Sequence, residues 1–259
     1  MAEVKGKITL HKKLAEGIYK ICFDVPEIAK AVRPGQFVHL SLGDNNREHI
    51  LRRPLSVYDT DGEHVITFIY QLVGKGTKKL TKAQVGEELS LLGPTGWFWD
   101  RNNKATKPLL VGAGLGAAPL HILAKKFSNK GLHIDLAIGA QNKEGLVLLP
   151  DFEKIENLNI TATTDDGSYG IKGFCTEAVK KLIAENEYDY CAICGPDFFM
   201  EPASKITMDA GIFTEVTTGK RMACGLGACL SCVVDTKSGG KKCSCIEGPI
   251  FDAADVIWS

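Results

Sequence analysis

Three cysteines at Cys-x4-Cys-x2-Cys spacing, Cys224, Cys229 and Cys232, constrain this chain more than any other feature. They lie within Met222-Ala223-Cys224-Gly225-Leu226-Gly227-Ala228-Cys229-Leu230-Ser231-Cys232, and Cys243 and Cys245 follow. The spacing is that of a plant-type 2Fe–2S cluster, which takes four thiolates. Small residues between the cysteines let the backbone close around an inorganic core and turn amide N–H groups toward its sulfides. A chain built this way moves single electrons. The fourth thiolate is open on chemistry alone, because Cys243 and Cys245 both lie a short chord away across a hairpin. A structural zinc site is the rival reading, since four thiolates also suit zinc. Zinc sites more often show two Cys-x2-Cys pairs, and this chain has one.

Composition narrows the class. The 259 residues allow one large domain, or two small ones plus an appendage. Lys plus Arg and Asp plus Glu both total 31, so a zero formal net charge favours neither nucleic acid nor an anionic membrane as partner. The first residues, Met1-Ala2-Glu3-Val4-Lys5-Gly6-Lys7, contain no apolar signal region, and no apolar run approaches the ~18 residues of a membrane span. The expected compartment is the cytoplasm, where disulfides are rare. Nine cysteines, an odd number, then point to metal or redox chemistry instead of cross-links.

Three segments are expected: a β-barrel domain over residues 1–100, an α/β domain over 101–211 and a cluster-binding segment over 212–259. In the first, Ile8–Leu10, Gly17–Phe23, Phe37–Leu42 and Val65–Tyr70 read as strands. Turn clusters separate them at Arg33-Pro34-Gly35, Gly43-Asp44-Asn45-Asn46 and Asp59-Thr60-Asp61-Gly62, which suggests an antiparallel barrel. The polar stretch Asp100–Pro108 is the first boundary. Beyond it, strand-like Pro108–Val111, Ile134–Gly139, Ile160–Thr163 and Tyr190–Cys194 alternate with helical Pro119–Phe127 and Glu177–Glu185. That rhythm argues for a parallel sheet covered by helices. In the third segment, Ser238-Gly239-Gly240 reads as a hairpin turn.

Several motifs carry chemistry. Gly112-Ala113-Gly114-Leu115-Gly116-Ala117 follows a strand and opens a helix, so Gly112, Gly114 and Gly116 form a candidate pyrophosphate turn; its alternative is a tight connection. The acidic residue that would hold an adenosine ribose is missing after the next strand, where Ala140-Gln141-Asn142 stand, so no choice between NAD and NADP follows there. Arg52-Arg53-Pro54-Leu55-Ser56 sets a cation near a hydroxyl, suited to a phosphate and a ring heteroatom, or is a surface arginine pair. Gly74-Lys75-Gly76-Thr77, before the helical Lys78–Ala83, is a candidate anion turn or a cap with Thr77 as N-cap. Cys194-Gly195-Pro196 ends a strand where open α/β sheets bind ligands, though Cys194 also reads as a core residue, as do Cys22, Cys175 and Cys191. Trp97, Trp99 and Trp258 read as packing groups rather than flavin-stacking ones. His11, His39, His49, His64, His121 and His133 show no metal-ligand spacing, and His64 reads as a turn residue. No paired carboxylates or nucleophile–base set supports a hydrolase.

Taken in order, Arg53-Pro54-Leu55-Ser56, Gly74-Lys75-Gly76-Thr77, Leu92-Gly93-Pro94-Thr95-Gly96, the glycine turn, Thr164-Asp165-Asp166-Gly167-Ser168-Tyr169-Gly170 and Cys194-Gly195-Pro196 resemble the ferredoxin–NADP reductase superfamily over the whole chain. Arg221–Cys229 together with Cys245-Ile246-Glu247-Gly248-Pro249-Ile250-Phe251 resemble, within it, the electron-transfer subunits of type B dihydroorotate dehydrogenases. The resemblance implies an N-terminal barrel that binds FAD. Arg53, Pro54, Leu55 and Ser56 would lie along it, Tyr70, Gln71 and Leu72 beside the flavin, and Gly76 and Thr77 against its phosphates. It implies NAD as substrate in the middle domain, with Cys194, Gly195 and Pro196 near the nicotinamide. It selects Cys224, Cys229, Cys232 and Cys245 as cluster ligands and leaves Cys243 as an additional thiol. The implied partner is an FMN-containing catalytic subunit that oxidises dihydroorotate in pyrimidine synthesis, in a heterotetramer of two subunits of each kind.

Two other functions fit the same residues. One is an NAD(P)H-dependent flavin and iron–sulfur reductase serving another partner enzyme or a soluble acceptor. The other is a zinc- and nucleotide-binding regulatory protein without turnover.

Overall fold

Alternation builds the first sheet. Along β1 (Ala2–Ala15), Val4, Gly6, Ile8 and Leu10 turn inward while Lys5, Lys7 and Thr9 face solvent, the period-2 pattern of a half-buried strand. The computed structural model describes residues 1–42, 50–101 and 104–258. The expected turn at Gly43–Asn46, His49 and part of the Asp100–Pro108 boundary stretch lie outside the described residues.

Six further strands join β1: β2 (Ile18–Asp24), β3 (Phe37–Leu40), β4 (Arg53–Ser56), β5 (Asp59–Thr60), β6 (Val65–Gln71) and β7 (Glu88–Thr95). Their order is β4-β3-β7-β1-β2-β6-β5, and each pair is antiparallel. Ile8, Ile21, Phe23, Leu40, Phe68 and Leu91 fill its core. Two short helices, α1 (Pro26–Ala29) and α2 (Lys75–Leu80), lie in its connections.

The second sheet has the order β11-β10-β9-β8-β12-β13-β16. Its strands are β8 (Pro108–Ala113), β9 (Ile134–Ala140), β10 (Leu158–Thr164), β11 (Ile171–Lys172), β12 (Tyr190–Cys194), β13 (Phe213–Thr217) and β16 (Ile250–Asp252). All pair in parallel except β16, which runs antiparallel to β13. Four helices complete this part: α3 (Ala118–Ser128), α4 (Leu149–Phe152), α5 (Cys175–Glu185) and α6 (Asp197–Asp209). The parallel sheet therefore continues past residue 211, since β13 hydrogen-bonds to β12.

The cysteine-rich segment contributes a hairpin of β14 (Val233–Asp235) and β15 (Lys241–Cys243) around the expected Ser238–Gly240 turn. It is stitched to both sheets. Thr95 Oγ1 donates to the Cys245 carbonyl (3.1 Å) and Trp97 N–H to that of Gly248 (2.5 Å), both from the barrel. On the other side, Thr218 N–H donates to the Pro249 carbonyl (2.8 Å), and β16 lies on β13.

Candidate functional site

The flavin-like and nucleotide-like motifs converge on one cleft of about 480 Å³ between the barrel and the carboxyl ends of the parallel strands. Arg53, Pro54, Leu55 and Ser56 on β4 and Tyr70 and Gln71 on β6 form one wall. Gly116, Cys194 and Gly195 form the facing wall, with Thr77 at the rim. Leu72, Gly76, Gly112, Gly114 and Pro196 are not part of the cleft lining. Leu115 of the glycine turn lines it too, as do Ala118, Pro119, Thr217 and Gly219, which carry no motif. The signal that could have found Thr217 and Gly219 is their place at the carboxyl end of β13, the edge where open sheets bind ligands.

Close packing explains the glycines. A β-carbon on Gly116 would lie 2.7 Å from Gly195 Cα, so the loops after β8 and β12 touch backbone to backbone. One on Gly112 would meet Ala117 at 2.5 Å, while Gly114 has open space but a φ of +53°. Gly114 begins a 3-10 turn that leads straight into α3. On the barrel side, a β-carbon on Gly76 would collide with the Arg53 guanidinium. Arg53 donates to the Leu51 carbonyl (2.5 Å) and holds its cationic head at the cleft wall.

Thr77 sits differently from the expected N-cap. Gly74 occupies that position, and the Thr77 hydroxyl reaches back to accept from the N–H groups of Val73 (2.9 Å) and Gly74 (3.2 Å). Satisfying those amides starts α2 at Lys75, three residues before the expected Lys78. Tyr70 stacks on Tyr19 at 5.4 Å, and its hydroxyl is 2.8 Å from His11 Nε2. Burial pushes its phenol pKa up. Cys194 is buried at the end of β12, and burial raises its thiol well above the ordinary range. Trp97, Trp99 and Trp258 lie away from the cleft: Trp99 is fully buried, and Arg101 covers the Trp97 ring.

The five C-terminal cysteines gather next to the barrel. Cys232, Cys243 and Cys245 are buried around Phe37, whereas Cys229 is exposed. Cys224 Sγ accepts from the amides of Leu226 (3.3 Å) and Cys229 (3.4 Å), which lower its pKa to about 6. Gly225 and Gly227 take φ of +70° and +76°, and that backbone aims the loop's amides inward. Burial and then the Cys232 side chain push Cys245 up to about 12, with the Gly227 backbone acting in the opposite direction. No three Cys, His, Asp or Glu side chains among the described residues form a ready metal-ligand set. The Cys224 sulfur takes the loop amides of Leu226 and Cys229 instead. The donor chemistry nevertheless fits an iron–sulfur cluster: soft sulfur ligands, amides turned toward sulfur and glycines that let the chain wrap closely.

Residues 219–257 match the family model of the iron-sulfur cluster binding domain of dihydroorotate dehydrogenase B. A dihydroorotate dehydrogenase B (NAD(+)) electron transfer subunit from Desulforamulus reducens is 33% identical, covering 98% of this chain and 97% of its own. Its counterpart from Fusobacterium nucleatum subsp. nucleatum is 37% identical over 94% of both chains. The chain belongs to the family of dihydroorotate dehydrogenase B electron transfer subunits.

A solved chain of an NADH-dependent reduced ferredoxin-NADP oxidoreductase, studied for flavin-based electron bifurcation, is 32% identical to this family member. The match covers 98% of this chain and 90% of that one, with a TM-score of 0.86. The expected architecture therefore stands: an antiparallel barrel sheet, a parallel α/β sheet and a cysteine-rich C-terminal segment.

Proposed function

We propose that this chain carries electrons between NAD(H) and the FMN of a dihydroorotate dehydrogenase catalytic subunit in pyrimidine synthesis, through bound FAD and a 2Fe–2S cluster. The single observation that carries the reading is the shared cleft. It apposes the Arg53–Ser56 strand to the Gly116 and Cys194–Gly195 loops, with the cysteine segment packed against the same barrel.

FAD exchanges electrons in pairs or singly, which matches a two-electron hydride carrier to a one-electron cluster. The chain's own residues bind and orient. Arg53, packed against Gly76, offers its charge to a diphosphate, with Gly76 and Thr77 against the phosphates; Pro54, Leu55 and Ser56 line the ring, and Tyr70, Gln71 and Leu72 lie beside it. Gly112, Gly114 and Gly116 let NAD approach the start of α3, and Cys194, Gly195 and Pro196 border the nicotinamide. Cys224, Cys229, Cys232 and Cys245 hold the cluster. Cys245 is preferred over Cys243 because it stands just before the Gly248-Pro249 turn, and Thr95 ties its carbonyl to the barrel. The net reaction of the complex balances as dihydroorotate plus NAD⁺ giving orotate, NADH and a proton.

Leu226, Leu230 and Ile246, 51%, 61% and 44% exposed, rim the cysteines and suit an apolar docking face for the catalytic subunit. Two copies of each subunit make the assembly. The cytoplasm is the compartment, in keeping with nine free cysteines. Neither nucleic acid nor a membrane enters the reading: the net charge is zero, and no helix among the described residues is long and apolar enough to cross a bilayer.

Anaerobic titration with NADH and then NADPH tests the cofactors, because flavin and cluster absorbance should bleach together with NADH. Mixing with the FMN subunit should then give dihydroorotate-dependent NAD⁺ reduction that neither protein shows alone. The resemblance to the ferredoxin-NADP oxidoreductase chain favours a second reading, a reductase for another partner enzyme. Bleaching by NADH without coupling to the FMN subunit selects it. A colourless protein containing zinc overturns both.

A further inference from the structure

We infer that His39 is a positioning residue for the iron–sulfur cluster, donating a hydrogen bond from Nε2–H to a cluster sulfur held by the Cys224–Cys232 loop.

His39 lies in β3, whose two faces serve different neighbours. Val38 and Leu40 point into the barrel core, while Phe37 packs among Cys232, Cys243 and Cys245. Alternation puts His39 on the Phe37 face, and the two rings meet edge to face at 5.3 Å. Across the sheet, His39 stands opposite Pro54 of β4, within the strand that walls the cleft. The imidazole is thus one strand from the flavin motif and in contact with the cysteine loop.

The contact is intimate. A β-carbon on Gly225 would collide with the His39 ring at Nε2, so the residue after Cys224 leaves room for the imidazole only because it is glycine. His39 is fully buried, yet neither ring nitrogen has a hydrogen-bond partner among the described residues. An unpaired buried donor costs on the order of 1–3 kcal/mol, so one aimed at a cluster loop needs an acceptor there. Burial and the nearby Arg52 charge lower the ring's pKa to about 4.

A donor to a cluster sulfur stabilises the reduced, more negative state and so raises the potential. This inference rests on the cluster reading above. The test is an EPR-monitored redox titration of the full chain with its FAD and cluster, comparing wild type with His39→Leu and His39→Gln. The Leu variant should require a lower potential, with a reduced-to-oxidised ratio about tenfold smaller at fixed potential, equivalent to about 59 mV for one electron. The Gln variant, which keeps an N–H at similar reach, should stay near wild type. Wild-type protein labelled with ¹⁵N-histidine should show a hyperfine coupling from one imidazole nitrogen to the reduced cluster, a measurement that needs no variant to fold. An unchanged potential in a fully loaded Leu variant, or no ¹⁵N coupling in the presence of a normal cluster signal, overturns the inference alone. No cluster signal in wild type overturns the cluster reading and this inference with it.

Discussion

At Gly76 there is room for hydrogen and nothing larger on the side facing Arg53. Its position inside α2 needs no unusual φ, so alanine there favours the helix by about 0.5–1 kcal/mol. The same methyl would drive the Arg53 guanidinium from the cleft wall. Gly76→Ala is therefore expected to leave the melting temperature level or slightly higher, yet to weaken FAD binding about tenfold, roughly 1.4 kcal/mol. The flavin-to-protein absorbance ratio after dialysis reads this directly, and full flavin retention would separate Gly76 from the flavin site. Serine replacements separate the two buried thiols in the same way. Cys245→Ser should lose iron and acid-labile sulfide, whereas Cys243→Ser should keep both. Both residue pairs were named from sequence, but their contacts were not readable there. Arg53 and Gly76 stand in different elements that meet only when β4 and α2 pack, and where Cys243 and Cys245 come to rest depends on the path of the hairpin.

Elements were legible where one face alternates cleanly and illegible where glycine, proline or charge interrupts the pattern. Only Ile8–Leu10 of the fourteen-residue β1 reads as strand, because Gly6 and Lys12 interrupt its inward-facing positions. β7 carries Gly93-Pro94 and α6 carries Pro202, which mask an interior strand and a helix that open-chain propensity disfavours. β16 is only three residues long, too short for periodicity to register. That strand nevertheless anchors the cysteine segment to the parallel sheet, with Phe251 buried in the second core and its ring filling the space where a Gly248 side chain would stand. Phe251→Ala should cost about 3–5 kcal/mol. Thermal melting should fall accordingly, and cluster content should drop further than flavin content, because the cysteines lose their tether before the barrel does.

At the scale of the molecule, function needs the barrel and the parallel sheet held in one register so that the cleft between them keeps its width. Asp151 of α4 ties the two together: its carboxylate accepts from the barrel's Tyr58 hydroxyl (3.0 Å) and Lys20 (3.3 Å), and from Lys154 beside it (2.8 Å). His121 of α3 stacks on Tyr58 at 4.3 Å, and Lys125 donates to Asp59 at 2.6 Å across the same seam. None of this was legible in sequence, since the partners are scattered over more than a hundred positions and carry no motif. Burial alone would raise the Asp151 pKa, but Lys154, Lys20 and the Tyr58 hydroxyl outweigh it and hold the group at about 2. An unfolded aspartate titrates near ~3.9. A depressed folded value means the stabilisation is complete above ~3.9 and drains away as pH falls toward about 2. Because the carboxylate is partly exposed, screening limits the contribution to about 1 kcal/mol or less. Asp151→Asn should then lower the melting temperature by roughly 2–4 °C at pH 7, with the gap to wild type closing as pH approaches about 2. A gap that stays constant across that window would place the loss in packing, and the seam would then owe its register to the Tyr58–His121 stack instead of the carboxylate.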